Sequence, residues 1–424
     1  MGNEFFENLR NITTYGQLLP DGRVIDLLAT TADEKLEIVV WDAEQSLVVP
    51  RLEHNGILYV APDLHPSVRR ALIIPTCIAD YASTSALFLE IAQLSIENFG
   101  LSEVFASIAA CWIFTTWVPE VFAAPPTLCI AASSMADAMR LFHFCRSLSR
   151  RAIIAADLSP RLPSELRPTL LVVDTGLSKK ARTAWRAYNY FGVYVPGSGG
   201  RLQELVCSKA IYCENPDSIA SWGGEALRIV LPPSNALPLL REPELQTIAR
   251  KFQPQLQRFR LWRLSSQSQA TRSRCPAELA KTGLGRELFA MLAGEPNIQK
   301  LLQPVVEQEQ QASEERRSVD PLAVIIEVVW IPAHEEESMA VAEVRGRLNA
   351  LLRARGENLE YSTREIGWKL SDLGVRRQRT AKGMVIKFSR EVRGHIHGLA
   401  RQFGLQLPKL HDCSDCTPAQ VVEQ

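Results

Sequence analysis

The central third of the chain dictates its fold class. Six short apolar runs follow one another there: Thr127–Ile130, Ala152–Ala155, Thr169–Asp174, Gly192–Val195, Ala210–Cys213 and Leu227–Leu231. Helical patterns lie between some of them, at Ala136–Leu148 and Lys179–Asn189. A strand buried on both faces reads as a continuous apolar run, and intervening helices supply the crossovers that parallel strands need. The expectation is an α/β protein with a parallel-sheet core. At 424 residues the chain has room for further domains on either side.

Residues 1–82 read as a small β-rich unit. Leu36–Asp42 and Gly56–Val60 are β-branched apolar runs beside the turn signals Asp21-Gly22 and Asn55-Gly56. Residues 83–264 hold the core, entered by two helices that Ser83 or Thr84 and Ser102 can cap. Val104–Pro119 is a run of sixteen uncharged residues, too short for a membrane span and ended by Pro119. A buried helix is expected, with no membrane partner. Residues 265–320 form a helical and charged linker, 321–408 a second domain, and 409–424 a disordered tail. MGNEFFENLR has no signal-peptide pattern, and nine scattered cysteines suit reduced thiols, so a cytoplasmic location is expected.

Pro126–Leu141 has the shape of a strand, a tight loop and a helix opening, and Thr169–Asp174 is a second buried strand ending in an acid. This is the frame of a P-loop nucleotide-binding core. A P-loop, G-x-x-x-x-G-K-[ST], wraps phosphate with backbone N–H groups, neutralises it with Lys and ligates magnesium with a hydroxyl. Here the glycines become Ala131 and Ala136, the lysine becomes Asp137 and the hydroxyl residue becomes Ala138. Asp137 would repel phosphate. Asp174 stands where the magnesium-binding acid would sit, followed by Thr175. The loop keeps its length without its chemistry. No catalytic residue and no cofactor are expected, ATP with magnesium being the minority alternative.

Residues 84–232 resemble the helicase/ATPase part of phage- and plasmid-type primase–helicases, the superfamily 3 or AAA+-like class. The residues that carry the resemblance are Trp112–Trp117, Pro125–Ile130, Pro168–Asp174 and Ser208–Cys213, the last as the sensor strand. The resemblance extends to bacterial proteins of mobile-element type. It implies an ASCE-type P-loop sheet in degenerate form. The chain departs from the family in the loop and before the last core strand, where Glu225 stands in place of a basic residue. Pro196–Arg201 is a glycine-rich loop, read as a hairpin connection, with Arg201 a minor DNA-facing candidate.

The charge distribution shifts attention downstream. The net charge is zero, yet residues 340–410 hold fifteen Lys/Arg against six Asp/Glu. Pro321–Trp330 and Met339–Arg355 read as helices. A third opens at Tyr361, with Ser362 and Glu365 as a capping box and Ile366, Leu370 and Leu373 as its core stripe. Val375–Arg379 and Gly383–Phe388 read as a hairpin, and Ser389–Phe403 as a closing helix. Three helices and a hairpin make a winged helix-turn-helix. Arg364 and Lys369 fall on the exposed side of the third helix; Arg376, Arg377, Arg379, Lys382 and Lys387 sit on the hairpin. This is the expected DNA-binding surface.

No metal site is expected. His411, Cys413 and Cys416 supply too few ligands by themselves, His334 sits in an acidic loop, and His395 and His397 point to different faces of one helix. The functional expectation is a non-catalytic DNA-binding or scaffold protein related to primase–helicase-like ATPases. The alternatives are an ATPase or helicase with a non-standard P-loop, and a protein-docking adaptor with no nucleic-acid role. A homo-oligomer or a protein partner is compatible with each.

Overall fold

The computed structural model describes residues 10–30, 35–42, 45–155, 166–174, 185, 192–196, 202–204, 206–213, 226–232, 240–266, 275–277, 279, 282–292, 298–355, 360–381, 383–405, 407–408, 413 and 416. The chain divides into two compact units, Met1–Glu309 and Gln310–Gln424.

The first unit joins the expected N-terminal β region, the core and most of the expected linker. It begins with β1 (Arg10–Thr13), β2 (Gln17–Leu18), β3 (Val24–Ala29), β4 (Leu36–Asp42), β5 (Gln45–Val49), β6 (Arg51–His54) and β7 (Ile57–Val60). Strands β2 to β5 form an antiparallel sheet in sequence order, and β7 lies between β1 and β6 in a second sheet. Helix α1 (Pro66–Ala71) follows, then α2 (Thr84–Phe99) and α3 (Glu103–Trp117). Ser83 caps α2 by accepting from Ala86 N, 3.0 Å, and Ser102 caps α3. Gly100, at φ +60°, ends α2 in the left-handed conformation that glycine adopts without strain. Helix α3 is buried from Ile108 to Trp117. No described helix is long and apolar enough to cross a membrane.

The core sheet is all-parallel and has five strands: β8 (Thr127–Ala131), β9 (Ile153–Ala155), β10 (Leu170–Asp174), β13 (Lys209–Cys213) and β14 (Ala226–Val230). Helix α4 (Met135–Leu148) connects β8 to β9. Across the sheet the strands run β14, β8, β13, β10, β9. The run at Gly192–Val195 does not join them. Instead β11 (Tyr194–Pro196) pairs antiparallel with β12 (Leu202–Glu204) in a separate hairpin. Its apolar side chains are exposed, Tyr194 by 54% and Leu202 by 70%, so the run lacks the two-sided burial of a core strand. Of the helix expected over Lys179–Asn189 only Trp185 lies within the described residues, and Arg201 lies outside them. Helices α5 (Glu242–Ser265) and α6 (Gly283–Met291) follow, and the unit boundary falls within α7 (Ile298–Val319).

One charged residue sits inside the fully buried strand β3. The Asp26 carboxylate accepts from Arg150 Nη2 at 3.1 and 3.2 Å, from Arg260 Nε at 2.6 Å, and from Arg151 Nη2. Arg260 also donates to Trp117 O and to both oxygens of Glu120, and Arg151 to Tyr15 O and Leu166 O. Gly16 makes room: a Cβ there would lie 2.6 Å from Asp26 Oδ1. Burial pushes the Asp26 carboxyl up, but Arg150, Arg151 and Arg260 together outweigh it and hold it well below the usual carboxylate range. At Glu120 burial is likewise outweighed, chiefly by Arg260, and the carboxyl lies at about 2.

The second unit contains α8 (Pro321–Glu335), β15 (Ser338–Ala340), α9 (Val341–Ala354), α10 (Thr363–Asp372), β16 (Gln378–Thr380), β17 (Gly383–Lys387) and α11 (Arg390–Gln402). The expected hairpin is part of a three-stranded sheet, β15-β17-β16, because Ser338–Ala340 adds an edge strand where a helix start was expected. Strand β16 starts only at Gln378: Val375 N turns back to Leu370 O, 2.8 Å, and Gly374 takes φ +71°. Arg376 and Arg377 therefore precede the strand. The tail expected to be disordered contributes Cys413 and Cys416, which pack against this unit's core.

Replacing Asp26 by Asn leaves three buried guanidinium groups short of their anion. Asp26→Asn should lower stability by about 3–5 kcal/mol, read as a lower urea midpoint. Both carboxyls have folded-state values below their unfolded ones, so their stabilisation is complete above pH ~4.5 and is lost as pH falls toward the folded values. Wild-type stability should therefore drop below pH ~4.5, and Asp26→Asn should flatten that drop.

Candidate functional site

The loop after β8 is occupied by helix-capping chemistry. Ser134 is the N-cap of α4, and its Oγ accepts from Asp137 N at 3.2 Å. The Asp137 carboxylate in turn accepts from Ser134 Oγ at 2.8 Å and faces Arg140 at 3.8 Å. An acid in the first turn suits the helix dipole. Ala131 closes the strand, Ala136 is exposed and Ala138 is buried. The hydroxyls and the carboxylate that line this loop are bound to one another and to the helix. The backbone of Asp174 ends β10 opposite Cys213; its side chain lies outside the described residues, as does Thr175.

A buried lysine escaped sequence reading. Lys209 has no exposed surface, and its Nζ lies 5.3 Å from the centroid of the Trp185 ring. Burial lowers its pKa to about 8, against a smaller opposing influence from Cys207 and Cys129. It does not replace the missing loop lysine. Lys209 pairs with Thr127 at the start of β8, four residues before Ala131, which is about 13 Å along a strand. Its signal in the sequence is one Lys at the edge of an apolar run, which looks the same as an exposed strand end.

The expected DNA-binding residues resolve into distinct environments in the second unit. Ser362 caps α10, and Glu365 completes the capping box by accepting from Ser362 N at 2.8 Å. Ile366, Gly367 and Leu370 are buried, which turns the opposite face outward. Arg364 is exposed, with its guanidinium carbon 4.8 Å from the Trp368 ring centroid; Trp368 is itself 55% exposed. Lys369 is half-buried, its Nζ 4.9 Å from the Tyr361 ring centroid. Trp368 is the functional candidate that charge counting misses, although its i,i+4 spacing from Arg364 was readable.

Arg376, Arg379 and Lys387 are exposed, and Lys382 lies outside the described residues. Arg377 differs. Its Nη2 donates to Ser371 Oγ at 2.6 Å, and its guanidinium lies across Gly367 where a Cβ would meet it. It ties the segment leading into β16 to helix α10, so its first role is packing. His395 is turned to Leu373 O, 2.7 Å. His397 is turned the other way, into a group with His334, Cys413 and Cys416 whose ligand atoms all lie within 4.8 Å of one another. His334 and His397 are distant in sequence from the two cysteines, so no local spacing signals this group.

No family model and no curated protein sequence matches the chain. Among solved structures, the A-form apo structure of the NrS-1 C-terminal region, residues 305–718, is similar at 8% identity and a TM-score of 0.38. That match covers 86% of this chain and 96% of that chain. A second A-form apo structure of the same region matches at 9% identity and a TM-score of 0.36, covering 85% and 95%. Similarity at this level assigns neither an activity nor a site.

The Lys209 ammonium is penalised by burial while it is charged. Its folded-state value of about 8 lies below the ordinary lysine value, so the penalty is complete below pH 8 and is relieved as pH rises from there toward 10.5. Lys209→Met should be more stable than wild type at pH 7, and the gap in urea midpoint should narrow as pH rises from 8 to 10. For the tether, Arg377→Ala should lower the midpoint by an amount corresponding to about 0.5–1.5 kcal/mol.

Proposed function

We propose that this protein is a non-catalytic DNA-binding or scaffold protein built on a degenerate P-loop-type sheet, and that a C-terminal winged helix contacts DNA. The carrying observation is the outward face of α10, where Arg364 lies over an exposed Trp368 on a helix fastened at its start by Ser362 and Glu365. In this reading α8, α9 and α10 are the helical part, α10 enters the major groove, and β16 and β17 are the wing. Arg364 is placed in the first turn, where a recognition helix reaches base edges. Arg376, Arg379, Lys382 and Lys387 are placed on phosphates. Arg377 positions the wing against α10.

The core supports the non-catalytic half of the reading. One strand, β13, separates the loop-bearing β8 from the acid-bearing β10, as the additional strand of an ASCE-type sheet does. Yet the cation that phosphate needs is replaced by Asp137, and Asp137 is engaged by the α4 cap. The sheet then acts as a scaffold, on the primase–helicase-like plan that residues 84–232 resemble.

Binding to a mixed-sequence 30-base-pair duplex, followed by fluorescence anisotropy across a salt series, tests the DNA assignment. The triple variant Arg376→Ala/Arg379→Ala/Lys387→Ala should bind more weakly and lose about 3 from the slope of log affinity against log salt. Arg364→Ala should weaken binding as well. Affinities equal to wild type in all variants would remove DNA from the reading and favour a protein-docking module. Calorimetric titration of Mg-ATP should give no saturable heat; saturable binding lost in Asp174→Ala would restore the ATPase alternative.

A further inference from the structure

We propose that His334, His397, Cys413 and Cys416 form a structural zinc site that fastens the C-terminal tail to helices α8 and α11. The ligand atoms are already in place. His334 Nε2 and His397 Nε2 lie 3.0 Å apart. Cys413 Sγ is 3.4 Å from His397 Nε2, and Cys416 Sγ is 3.5 Å from His334 Nε2 and 3.9 Å from His397 Nε2. A tetrahedral zinc ion with bonds of about 2.0–2.1 Å to nitrogen and about 2.3 Å to sulfur separates its ligands by about 3.3 Å for N···N and about 3.5 Å for N···S. Four of the six separations are therefore near those of one such tetrahedron, and all six lie within 4.8 Å.

Three further features belong to a metal site rather than to chance proximity. First, His334 Nδ1 lies 2.7 Å from Trp330 O. A carbonyl only accepts, so the ring proton is on Nδ1 and Nε2 presents its lone pair to the cluster. This is how an outer hydrogen bond fixes the tautomer of a metal-bound histidine. Second, the two cysteines are tied to each other, Cys416 N donating to Cys413 O at 3.2 Å. Third, the site is partly enclosed, with His334 and Cys413 half-buried. His397 and Cys416 are buried, and the Trp330 ring packs on both imidazoles with centroids 4.9 and 4.5 Å away. Four protein ligands leave no open position for substrate, so the site is structural.

The charge also balances. Binding releases the two thiol protons, and two thiolates neutralise the doubly charged ion, leaving a neutral centre among apolar side chains. The consequence is mechanical. His334 lies in the last turn of α8, His397 lies on α11, and the cysteines follow in the tail. Trp330 Nε1 donates to Pro408 O at 3.0 Å, giving the tail a second anchor beside the first. His411 lies outside the described residues and is not needed for the coordination.

The test uses the full-length chain purified without chelator or added metal. Elemental analysis should find one zinc per chain. Exchange for Co²⁺ should give the strong visible absorption of a tetrahedral cobalt centre together with thiolate charge-transfer bands. Cys413→Ser and His397→Ala should each lose the zinc and these bands, while Cys77→Ala, at an exposed cysteine elsewhere, keeps both. Where His397→Ala fails to fold, Cys413→Ser, checked by circular dichroism, carries the comparison. In wild type, chelation should open Cys413 and Cys416 to alkylation and expose the chain after Pro408 to protease. Zinc retained in Cys413→Ser would overturn the proposal. So would a metal-free wild type that takes up no Co²⁺, or a Cys413–Cys416 disulfide in place of metal.

Discussion

The first unit depends on a carboxylate in the middle of an otherwise apolar strand. Asp26 on β3 gathers Arg150 and Arg151 from the end of α4 and Arg260 from α5. Through Arg260 it reaches Glu120 and the end of α3. Buried charges are tolerated only when paired and hydrogen-bonded, and each member of this group has several partners. The interaction is also directional. Hydrophobic burial alone would let the N-terminal sheets slide on the core, whereas a guanidinium donating to specific oxygens sets one position. This explains why the β-rich N-terminal region shares a compact unit with the parallel sheet instead of standing apart.

The second unit solves a different problem with weaker contacts. Its core is built from α8, α9, α10 and α11, and three short strands close one side. Helix α10 is only ten residues long, too short to hold its conformation alone in water. Its capping box, its buried stripe and the Arg377 tether hold it, and those same contacts leave Arg364 and Trp368 outside. The exposed face of α10 is therefore a by-product of how the helix is anchored. The proposed zinc centre extends the pattern, because it would tie Cys413 and Cys416 to His334 on α8 and His397 on α11.

At the loop after β8, residues that resemble a phosphate site by position serve a helix start by contact: Asp137 accepts from Ser134, and Ala138 packs inward. The strand β8 and the helix α4 are held by burial, with Leu128, Cys129, Ile130, Leu141 and Phe142 all inside the core.

Much of the architecture was legible in the residues themselves. Continuous apolar runs at Thr127, Thr169 and Ala210 specified buried parallel strands, and Ser83, Ser102 and Ser362 marked helix starts, since periodicity and capping act over a few neighbouring residues. The exposed cations of α10 and the hairpin were readable for the same reason. What only the tertiary structure decided are the meetings of distant residues. Asp26 looks like any acid in a β-rich segment until three arginines more than a hundred residues away converge on it. Lys209 looks like a strand end until Trp185 covers it, and Tyr194 looks like a core strand until it stands exposed. The Cys413–Cys416 pair looks incomplete until α8 and α11 bring His334 and His397 to it. Local patterns encode conformation within a turn or a strand, whereas ligand sets and ion clusters are made by chain crossings that no local pattern records.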